Sequence, residues 1–449
     1  MGTPRRDFLK ALGGASALVS SLANSLPASL AASIAASFPT IAGCATVAPS
    51  SAKVVVVGGG YGGATAARYI RMWSGGRVDV ALIEPNIDFV SCPMSNLVLG
   101  GSRTLADITV GYDNLVRRDG VRLIRDMATA VDPDKRVVRL ARGDDLAYDR
   151  LILSPGVDLM WDAIPALDNP AAQDAILHAY KAGPQTAALR RQLEAMADGG
   201  VFVLSIPVAP YRCPPAPYER ACQVAWYFKR AKPKSKVLIL DGNADVTSKG
   251  PLFKKAWSEE YAGIVEYRPN YALTDVDVTT RTAKFEVQDD VRAAVLNVIP
   301  PQRAGAIATS AGVVTANGRW CDVDFVTFES VKVRNVHVLG DAIQPATLMP
   351  KSGHMANQHA KICAAAVVAL LTGEAPNPEP VLTNACYSFI TDKDAVHVCS
   401  VHQYDTDKKT VLPVQGSGGL SSAMSELEGR YAWNWAKNVW ADMLGSGLA

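Results

Sequence analysis

A run of β-branched residues, followed at once by closely spaced glycines, constrains the fold of this chain more than any other feature. Lys53 to Val57 reads KVVVV, which is typical of a strand buried on both faces of a parallel sheet. Gly58, Gly60 and Gly63 follow with the spacing G-x-G-x-x-G, and an alanine-rich stretch behind them predicts a helix. Val78 to Glu84 predicts the next strand. The chain therefore begins its fold with a β–α–β unit of a parallel α/β protein.

The glycine spacing predicts a site for a dinucleotide. Gly58 permits the tight turn, Gly60 lets the backbone approach a pyrophosphate, and Gly63 lets the helix pack on the strand. The N-terminus of the helix offers unpaired N–H groups and the positive end of its dipole to the phosphates. Glu84 ends the second strand, where its carboxylate can accept hydrogen bonds from ribose hydroxyls. A glycine-rich turn in an unliganded domain is the alternative.

Later segments favour FAD as the dinucleotide. Residues 338–341 form a predicted short strand that ends in Gly340-Asp341. In flavoproteins with two dinucleotide-type domains, such an aspartate reaches the ribityl and phosphate region of FAD. A second domain contains a predicted strand at Val201–Ser205, but Pro207 and Pro210 stand where a second phosphate-binding turn needs glycines. The sequence therefore predicts FAD in the first domain, no nucleotide in the second, and electrons entering by another route.

The order of these segments predicts an α/β fold of the glutathione-reductase-like type. It has two Rossmann-like dinucleotide-binding-type domains and a smaller α+β C-terminal domain. Further strands are expected at Arg150–Leu153, Val201–Ser205, Lys236–Leu240 and Val336–Leu339, and a final aromatic helix at Tyr431–Trp440. The predicted segments are residues 1–48 (a leader), 49–160 and 299–375 (the two parts of the FAD domain), 161–298 (the second Rossmann-like domain) and 376–449 (the C-terminal interface domain).

The first residues predict export. Arg5 and Arg6 begin a twin-arginine pattern, which is followed by a long, weakly apolar stretch rich in alanine and serine. A periplasmic location through the twin-arginine route is therefore expected, the alternative being a chance arginine pair before a tail. Two processing sites compete: cleavage after Ala48, or a lipobox that leaves a lipidated Cys44 as a membrane tether.

Two further motifs resemble a known family. RCPPAPYERA (residues 212–221) and PKSG (residues 350–353) are similar to the flavoprotein subunit of flavocytochrome c sulfide dehydrogenase. That family is related to sulfide:quinone oxidoreductase and to the disulfide-oxidoreductase-like flavoproteins, and the resemblance covers nearly all of residues 53–449. It implies FAD, a redox disulfide between Cys213 and Cys386 beside the flavin, and sulfide as substrate. It also implies that a c-type cytochrome subunit, in a heterodimer, accepts the electrons.

The resemblance assigns roles to several other residues. Residues 88–96 resemble the segment in which the family carries a cysteine bonded to the flavin, which implies a covalent bond between Cys92 and FAD. Glu219 can take the proton of the substrate, the alternative being a salt bridge with Arg220 or Arg212.

One short segment is expected at the flavin ring. Lys351 and the helix that begins near Ser352 are expected to face the flavin and stabilise its reduced, anionic form. A surface lysine at the start of a helix is the alternative for Lys351.

Several functions are disfavoured by the sequence. The net charge of +2 does not indicate a nucleic-acid binder, and the histidines show no metal-binding spacing. Cys-x-x-Cys-His does not occur, so this chain carries no c-type haem of its own. The remaining alternatives are a sulfide:quinone oxidoreductase, an NAD(P)H-linked disulfide reductase and a non-enzymatic exported binding protein. Four further cysteines are expected to be buried small apolar residues or members of structural bridges: Cys222, Cys321, Cys363 and Cys399.

Overall fold

The computed structural model describes residues 52–445. The predicted leader (residues 1–48), with its twin arginines and Cys44, lies outside the described residues, so the predictions made on it remain predictions.

The strands are numbered in chain order within this described part of the chain. They are β1 (Lys53–Val57), β2 (Asp79–Ile83), β3 (Asp88–Val90), β4 (Thr109–Gly111), β5 (Arg122–Ile124), β6 (Ala128–Asp132), β7 (Val137–Leu140), β8 (Leu146–Ala147), β9 (Arg150–Leu153), β10 (Val157–Leu159), β11 (Val201–Ile206), β12 (Lys236–Asp241), β13 (Val265–Pro269), β14 (Leu273–Asp277), β15 (Thr282–Phe285), β16 (Val291–Arg292), β17 (Val295–Val298), β18 (Gln302–Ala304), β19 (Val336–Val338), β20 (Val381–Phe389), β21 (Ala395–Asp405), β22 (Thr410–Pro413) and β23 (Gly419–Leu420).

The helices are numbered in the same way. The α-helices are α1 (Tyr61–Trp73), α2 (Ser95–Gly100), α3 (Asp113–Arg117), α4 (Pro170–Ala175), α5 (Pro184–Ala195), α6 (Ala216–Ala231), α7 (Gly250–Glu259), α8 (Ala306–Ser310), α9 (Gly353–Thr372) and α10 (Glu426–Leu444). Single 3-10 turns lie at Ala106–Ile108, Trp161–Ala163, Pro165–Leu167 and Gly340–Ala342.

A parallel sheet carries the predicted dinucleotide motif. Its strand order is β19-β9-β1-β2-β5, so β1 has a parallel neighbour on both sides. This position explains the continuous valines: Val54 to Val57 are buried because helices or chain cover both faces of the sheet. Helix α1 leaves the glycine turn and packs against α9 from the far end of the chain. The two parts of the predicted FAD domain therefore form one sheet and one core.

A second parallel sheet, with strand order β13-β12-β11-β17, forms the next domain. It has its own apolar core beneath α6, which includes Phe202, Tyr218 and Phe228. The chain crosses between the two sheets twice, and the crossings pair as the antiparallel ribbon β10-β18. The predicted boundaries at residues 160 and 298 fall beside this ribbon. The prediction of an α/β protein with two Rossmann-like domains is confirmed.

The C-terminal segment combines an antiparallel sheet (β20 to β23) with the long helix α10. The helix is longer than the predicted Tyr431–Trp440, because Ser425 caps its N-terminus and Gly445, at φ +65°, caps its C-terminus. Ala432 and Trp440 of α10 belong to the same core as the first sheet. The apolar face of α10 is therefore used to cover the FAD domain.

Two kinds of structural feature are absent from the described part of the chain. No helix among residues 52–445 is long and apolar enough to cross a membrane. The same residues contain no group of three or more His, Cys, Asp or Glu side chains arranged to hold a metal ion.

Candidate active site

The glycine turn after β1 leaves open space at one glycine and none at its two partners. A Cβ on Gly58, whose φ is +96°, would lie 2.4 Å from the carbonyl oxygen of Ser154. A Cβ on Gly63 would lie 1.8 Å from the carbonyl oxygen of Gly58. A Cβ on Gly60 would meet no atom within 4 Å, because Gly60 faces a cavity. The predicted roles fit this geometry: Gly58 and Gly63 close the turn, and Gly60 gives a phosphate access to the backbone.

Glu84 lies at the rim of the same cavity, just beyond β2. Its Oε2 accepts a hydrogen bond from the Gly59 N–H at 2.7 Å, and its Oε1 accepts two from Asn86. The hydroxyl of Tyr112 donates to the Gly59 carbonyl at 3.0 Å. Burial, reinforced by the charge of Glu84, raises the pKa of Tyr112 above its usual value, so Tyr112 stays a hydrogen-bond donor. These contacts fix the carboxylate where a ribose would lie.

The opposite wall of the cavity contains the predicted Gly340-Asp341 pair. Gly340 has φ +74°, and its N–H donates to Nδ1 of His359. Oδ1 of Asp341 is buried and has no hydrogen-bond partner among residues 52–445. Burial raises the pKa of this carboxyl. A buried oxygen without a donor costs free energy, and a ribityl hydroxyl is the donor that FAD brings to this position. The residues present therefore fit FAD.

Helix α9 points its N-terminus at this cavity. Ser352 caps the helix by accepting the Met355 N–H at 3.0 Å, and its hydroxyl donates to Oδ1 of Asn384 at 2.7 Å. Ser352 and Gly353 both line the cavity. The free N–H groups of the first turn are placed to interact with negative charge on a bound flavin.

Lys351 is buried (5% exposed), so the alternative of a surface lysine is wrong. Its ammonium donates to the carbonyl oxygens of Asp341, at 2.9 Å, and Ile343, and lies 3.7 Å from the centre of the Trp320 ring. Burial lowers the pKa of Lys351 to about 7. Lys351 lines the cavity, and its role toward the flavin stays a prediction.

Cys92 lies in the cavity wall beside an arginine. The Arg212 guanidinium donates to its Sγ at 2.6 Å, and the Ala182 N–H donates to the same sulfur at 3.4 Å. Arg212 also donates to the carbonyl of Tyr180. The predicted attachment point for the flavin is therefore held at the cavity surface, with its sulfur fixed by two donors.

The fold brings Cys213 and Cys386 close together, although they come from distant segments. Cys213 precedes α6, lines the cavity and has φ +50°, a conformation held by its N–H, which donates to the Lys351 carbonyl at 2.7 Å. Cys386 lies on β20 of the C-terminal sheet.

The two cysteine side chains act on each other. Interaction with the Cys386 side chain, together with burial, raises the pKa of Cys213. The same interaction, helped by the nearby charge of Lys249, lowers the pKa of Cys386 to about 6. The two cysteines are therefore neighbours, and Cys213 lines the cavity.

Glu219 lies on the first turn of α6, close to this pair. Its Oε1 accepts the Phe389 N–H at 2.8 Å, and its Oε2 accepts the Asn96 side chain at 3.0 Å. No ion pair of Glu219 occurs in the described part of the chain, so the alternative of a salt bridge with Arg220 or Arg212 is not realised. Burial raises the pKa of Glu219 to about 7, which suits a group that exchanges protons near neutral pH.

Other side chains at the site had no assigned role in the sequence. Tyr180 donates from its hydroxyl to the carbonyls of Arg212 and Cys213, and thereby fixes the loop that carries the thiol. Lys249 donates to the Cys386 carbonyl from the start of α7. The role of Arg212 could have been suspected because it precedes Cys213 in the sequence. No neighbouring residue in the sequence indicates a role for Tyr180 or Lys249.

In the second domain, the acid at the corresponding position is already bonded by the protein. Asp241 ends β12, at the position where a ribose-binding acid would stand, and it is fully buried. Its Oδ2 accepts hydrogen bonds from the hydroxyls of Tyr218 and Tyr267, at 2.7 and 3.1 Å. Its Oδ1 accepts two more from Asn243. The carboxylate is therefore committed to internal partners.

The fold and the cavity define a FAD-binding flavoprotein of the disulfide oxidoreductase type. A family model described as pyridine nucleotide-disulphide oxidoreductase matches residues 52–192. Two further models, for the central and the flavin-binding parts of the flavocytochrome c sulfide dehydrogenase flavoprotein chain, match residues 186–300 and 378–444. The chain belongs to this family of flavocytochrome c sulfide dehydrogenase flavoprotein chains.

Individual relatives agree with this placement. The sulfide dehydrogenase flavoprotein chain of Chlorobaculum thiosulfatiphilum is 52% identical over 46 residues, which cover 10% of this chain and 94% of that sequence. The mitochondrial sulfide:quinone oxidoreductase of Dictyostelium discoideum is 25% identical over 299 residues, 64% of this chain and 65% of the relative. The chain thus spans about two thirds of the length of that relative.

A solved structure shares the fold. The sulfide:quinone oxidoreductase of Aquifex aeolicus superposes with a TM-score of 0.73 at 19% identity, covering 88% of this chain and 92% of that one. This likeness shows the fold alone.

Proposed function

We propose that this protein oxidises sulfide at the Cys213–Cys386 pair, passes the electrons through FAD, and delivers them to a c-type cytochrome subunit. The observation that carries the proposal is the proximity of the two cysteine side chains, which act on each other's pKa beside the FAD cavity. Two cysteines in contact can form the disulfide that a sulfur nucleophile attacks. The printed name of the Chlorobaculum relative, a flavocytochrome c flavoprotein chain, supports the choice of acceptor.

The protein's own residues account for the first chemical step. Hydrosulfide attacks one sulfur of the disulfide, a new S–S bond forms, the old one breaks, and the second cysteine leaves as a thiolate. Glu219, whose pKa is about 7, can take the proton from the attacking sulfide at a carboxylate oxygen. FAD, when bound, supplies the two-electron acceptor. Gly60, Glu84 and Asp341 would hold it, and Cys92 is proposed to bind it covalently.

Helix α10 favours a protein acceptor over a membrane quinone. A quinone-linked relative has to reach its acceptor in a lipid bilayer, which calls for an exposed apolar helix face or segment. Here Ala432, Ala436 and Trp440 use that face in the core. Sulfide:quinone oxidoreductase remains the second candidate, because proteins of that name match over most of the chain.

We further propose that the protein acts in the periplasm. The twin arginines, Arg5 and Arg6, and the weakly apolar stretch behind them support export of a folded, cofactor-loaded protein. A lipid on Cys44 is the alternative to a freely diffusing form.

A comparison of two reductants tests the proposed reaction. Cys386→Ser should keep its flavin and fold but lose sulfide-driven flavin reduction by several orders of magnitude, because no electrophilic sulfur remains. Dithionite should still reduce the flavin of this variant, since it needs no disulfide. Stopped-flow absorbance of the flavin measures both rates under anaerobic conditions.

The chain offers a matched control for this experiment. Cys399→Ser alters a half-buried cysteine on the neighbouring strand β21 and should leave both rates unchanged. A purely structural bridge would instead cost about 2–5 kcal/mol of unfolding free energy and leave the sulfide rate intact. Near wild-type sulfide rates in Cys386→Ser would refute the proposed function. Mixing sulfide-reduced protein with a c-type cytochrome or a soluble quinone then identifies the acceptor class.

A further inference from the structure

Lys249 is a buried cation at the back of the cysteine pair. It is 4% exposed and stands immediately before α7, at φ +57°, a left-handed conformation that costs free energy for a lysine. Its ammonium donates to the Cys386 carbonyl and to the Ser388 hydroxyl, each at 2.7 Å. These two hydrogen bonds hold the ammonium of Lys249 against the strand that carries Cys386, in spite of the cost of its backbone conformation and of its burial.

The charge of Lys249 has no carboxylate within 4.0 Å among residues 52–445. Burying an unpaired ammonium is expensive, so a group that becomes negative nearby stabilises it. Its two acceptors are a carbonyl and a hydroxyl, both neutral. The anionic candidates near it are the Cys386 sulfur and Glu219, since its charge acts on the pKa of both.

Other charged and titratable groups near the cysteine pair belong to α6, to the loop before α6 and to α9. Glu219 on α6 raises the pKa of Cys213, and Arg212 in the loop before α6 opposes it. From α9, His354 accepts the Ala385 N–H at 2.9 Å, and burial lowers its pKa to about 4, so it is neutral at pH 7. Lys249 is thus the cation on the Cys386 side, as Arg212 is on the Cys213 side.

We propose that Lys249 is a positioning residue that stabilises negative charge on the sulfur of Cys386 during the reaction with sulfide. This inference rests on the proposed function for the reaction, but its test on the reduced protein needs no sulfide. Lys249 is not among the residues that line the FAD cavity. It acts through the strand whose carbonyl and hydroxyl it holds.

Either direction of attack places an anion at Cys386. If hydrosulfide attacks Cys213, the S–S bond breaks, its electron pair goes to Cys386, and Cys386 becomes the thiolate. If hydrosulfide attacks Cys386, the new S–S bond forms there, Cys213 takes the electron pair, and loss of the remaining proton leaves a persulfide anion on Cys386. In both cases the disulfide gains two electrons from sulfide, and the fixed ammonium favours the product.

Two substitutions separate the charge of Lys249 from its hydrogen bonds. Lys249→Met removes both, whereas Lys249→Gln keeps a donor and removes the charge. The readout is the rate at which iodoacetamide alkylates Cys386 in the fully reduced protein, followed from pH 4 to pH 10 by peptide mass spectrometry. Because a nearby opposite charge shifts a pKa by about 1–3 units, the midpoint should rise by about that amount in both variants.

Two control variants leave Lys249 itself unchanged. Lys255→Met removes an exposed charge from the same helix and should leave the midpoint unchanged. Ser388→Ala removes one acceptor but keeps the charge, so it should also leave the midpoint near that of wild type. Flavin content and Tm of each variant show whether it has folded.

The outcomes are distinct. A midpoint that moves in the Met variant but not in the Gln variant would overturn the proposal, because hydrogen bonding alone would then explain the effect. A midpoint that moves in neither would overturn it as well. The two proposals can also be separated. If the midpoint rises in both variants but sulfide does not reduce the flavin of the wild-type protein, the role of Lys249 toward the Cys386 thiolate stands and the proposed function is refuted. If Lys249→Met does not fold, the Gln variant and Ser388→Ala still decide between charge and hydrogen bond.

Discussion

A carboxyl group buried beside two thiols is poised to exchange protons near neutral pH. Glu219 owes this property first to burial, which raises its pKa to about 7, while hydrogen bonds from Phe389 and Asn96 oppose the rise. Below pH 7 the group is mostly protonated, and above pH 7 it is mostly an anion that can accept a proton. The direction of the pKa shift therefore predicts a base that becomes active as the pH rises.

Glu219→Gln should remove this base while keeping the size of the side chain and one of the two accepted hydrogen bonds. The ratio of the wild-type to the variant rate of sulfide-driven flavin reduction should rise as the pH increases from 5 to 8, reaching about 100-fold. The ionisation of sulfide itself cancels in the ratio, because both proteins meet the same solution. Stopped-flow measurements at fixed total sulfide give the ratio, and a ratio that stays flat with pH would contradict the role of Glu219 as base.

Cys92 is predicted to hold the flavin covalently. After acid precipitation, the flavin of the wild-type protein should stay in the pellet, whereas Cys92→Ala should release all of it into the supernatant. Cys399→Ser, which alters a cysteine away from the cavity, should retain its flavin in the pellet. Absorbance of pellet and supernatant measures the partition, and release of all flavin by the wild-type protein would show that the bond is absent.

Residues whose roles depend on neighbours in the sequence were predictable. Gly58, Gly60 and Gly63 act within one turn, so their spacing alone indicated what each does. Lys249 was not predictable, because its meaning depends on a strand more than a hundred residues later. The contact of Lys351 with Trp320 was not predictable for the same reason, because Trp320 comes from another part of the chain.

At the scale of elements, the turn between β1 and α1 contains a glycine, Gly60, that the fold does not require but that binding of the cofactor does. Gly60 has φ −73° and ψ −165°, values that any residue adopts, and its missing side chain would point into open space. A larger residue there meets no protein atom, but it occupies the volume through which a pyrophosphate approaches the backbone.

Gly60→Val should therefore fold with nearly unchanged Tm and yet be purified with little flavin. Gly419→Val is a suitable control, because Gly419 also has open space around its Cβ position but lies in β23, away from the cavity. The ratio of flavin to protein absorbance gives the occupancy. Full occupancy in Gly60→Val would remove the glycine turn from the FAD site.

Element boundaries were less predictable than element types. The aromatic residues correctly indicated a helix near the C-terminus, but they gave the range Tyr431–Trp440, whereas the helix runs from Glu426 to Leu444. The ends are set by Ser425, whose side chain accepts the Glu428 N–H, and by Gly445. Each cap is a single residue, so the aromatic content of the segment does not indicate where the helix begins or ends.

At the scale of the whole molecule, the two Rossmann-like domains differ at the position where each could bind a dinucleotide. The first keeps an open cavity at its glycine turn, while in the second the hydroxyls of Tyr218 and Tyr267 bond the carboxylate of Asp241. Pro207 and Pro210 predict that the second domain binds no nucleotide, and this stays a prediction. The tyrosines were not predictable, because they reach Asp241 from α6 and β13.

Two features of the second domain predict that NADH does not reduce this protein: the prolines at positions 207 and 210, and the internally bonded carboxylate of Asp241. Anaerobic oxidised protein mixed with excess NADH should keep an oxidised flavin spectrum over minutes, while sulfide bleaches it. Dithionite serves as the control for a reducible flavin. Rapid bleaching by NADH would contradict the assignment of the second domain as a domain without a nucleotide.

The two sulfurs that meet at the site belong to different cores. Cys213 follows Tyr211 and precedes Tyr218, both in the core of the second domain, whereas the strand of Cys386 places Leu382 and Phe389 in the core of the first. The disulfide proposed between Cys213 and Cys386 would therefore join segments that are anchored in two different cores. It can form only in a chain that has brought both segments together, so its presence would report that the two domains have met.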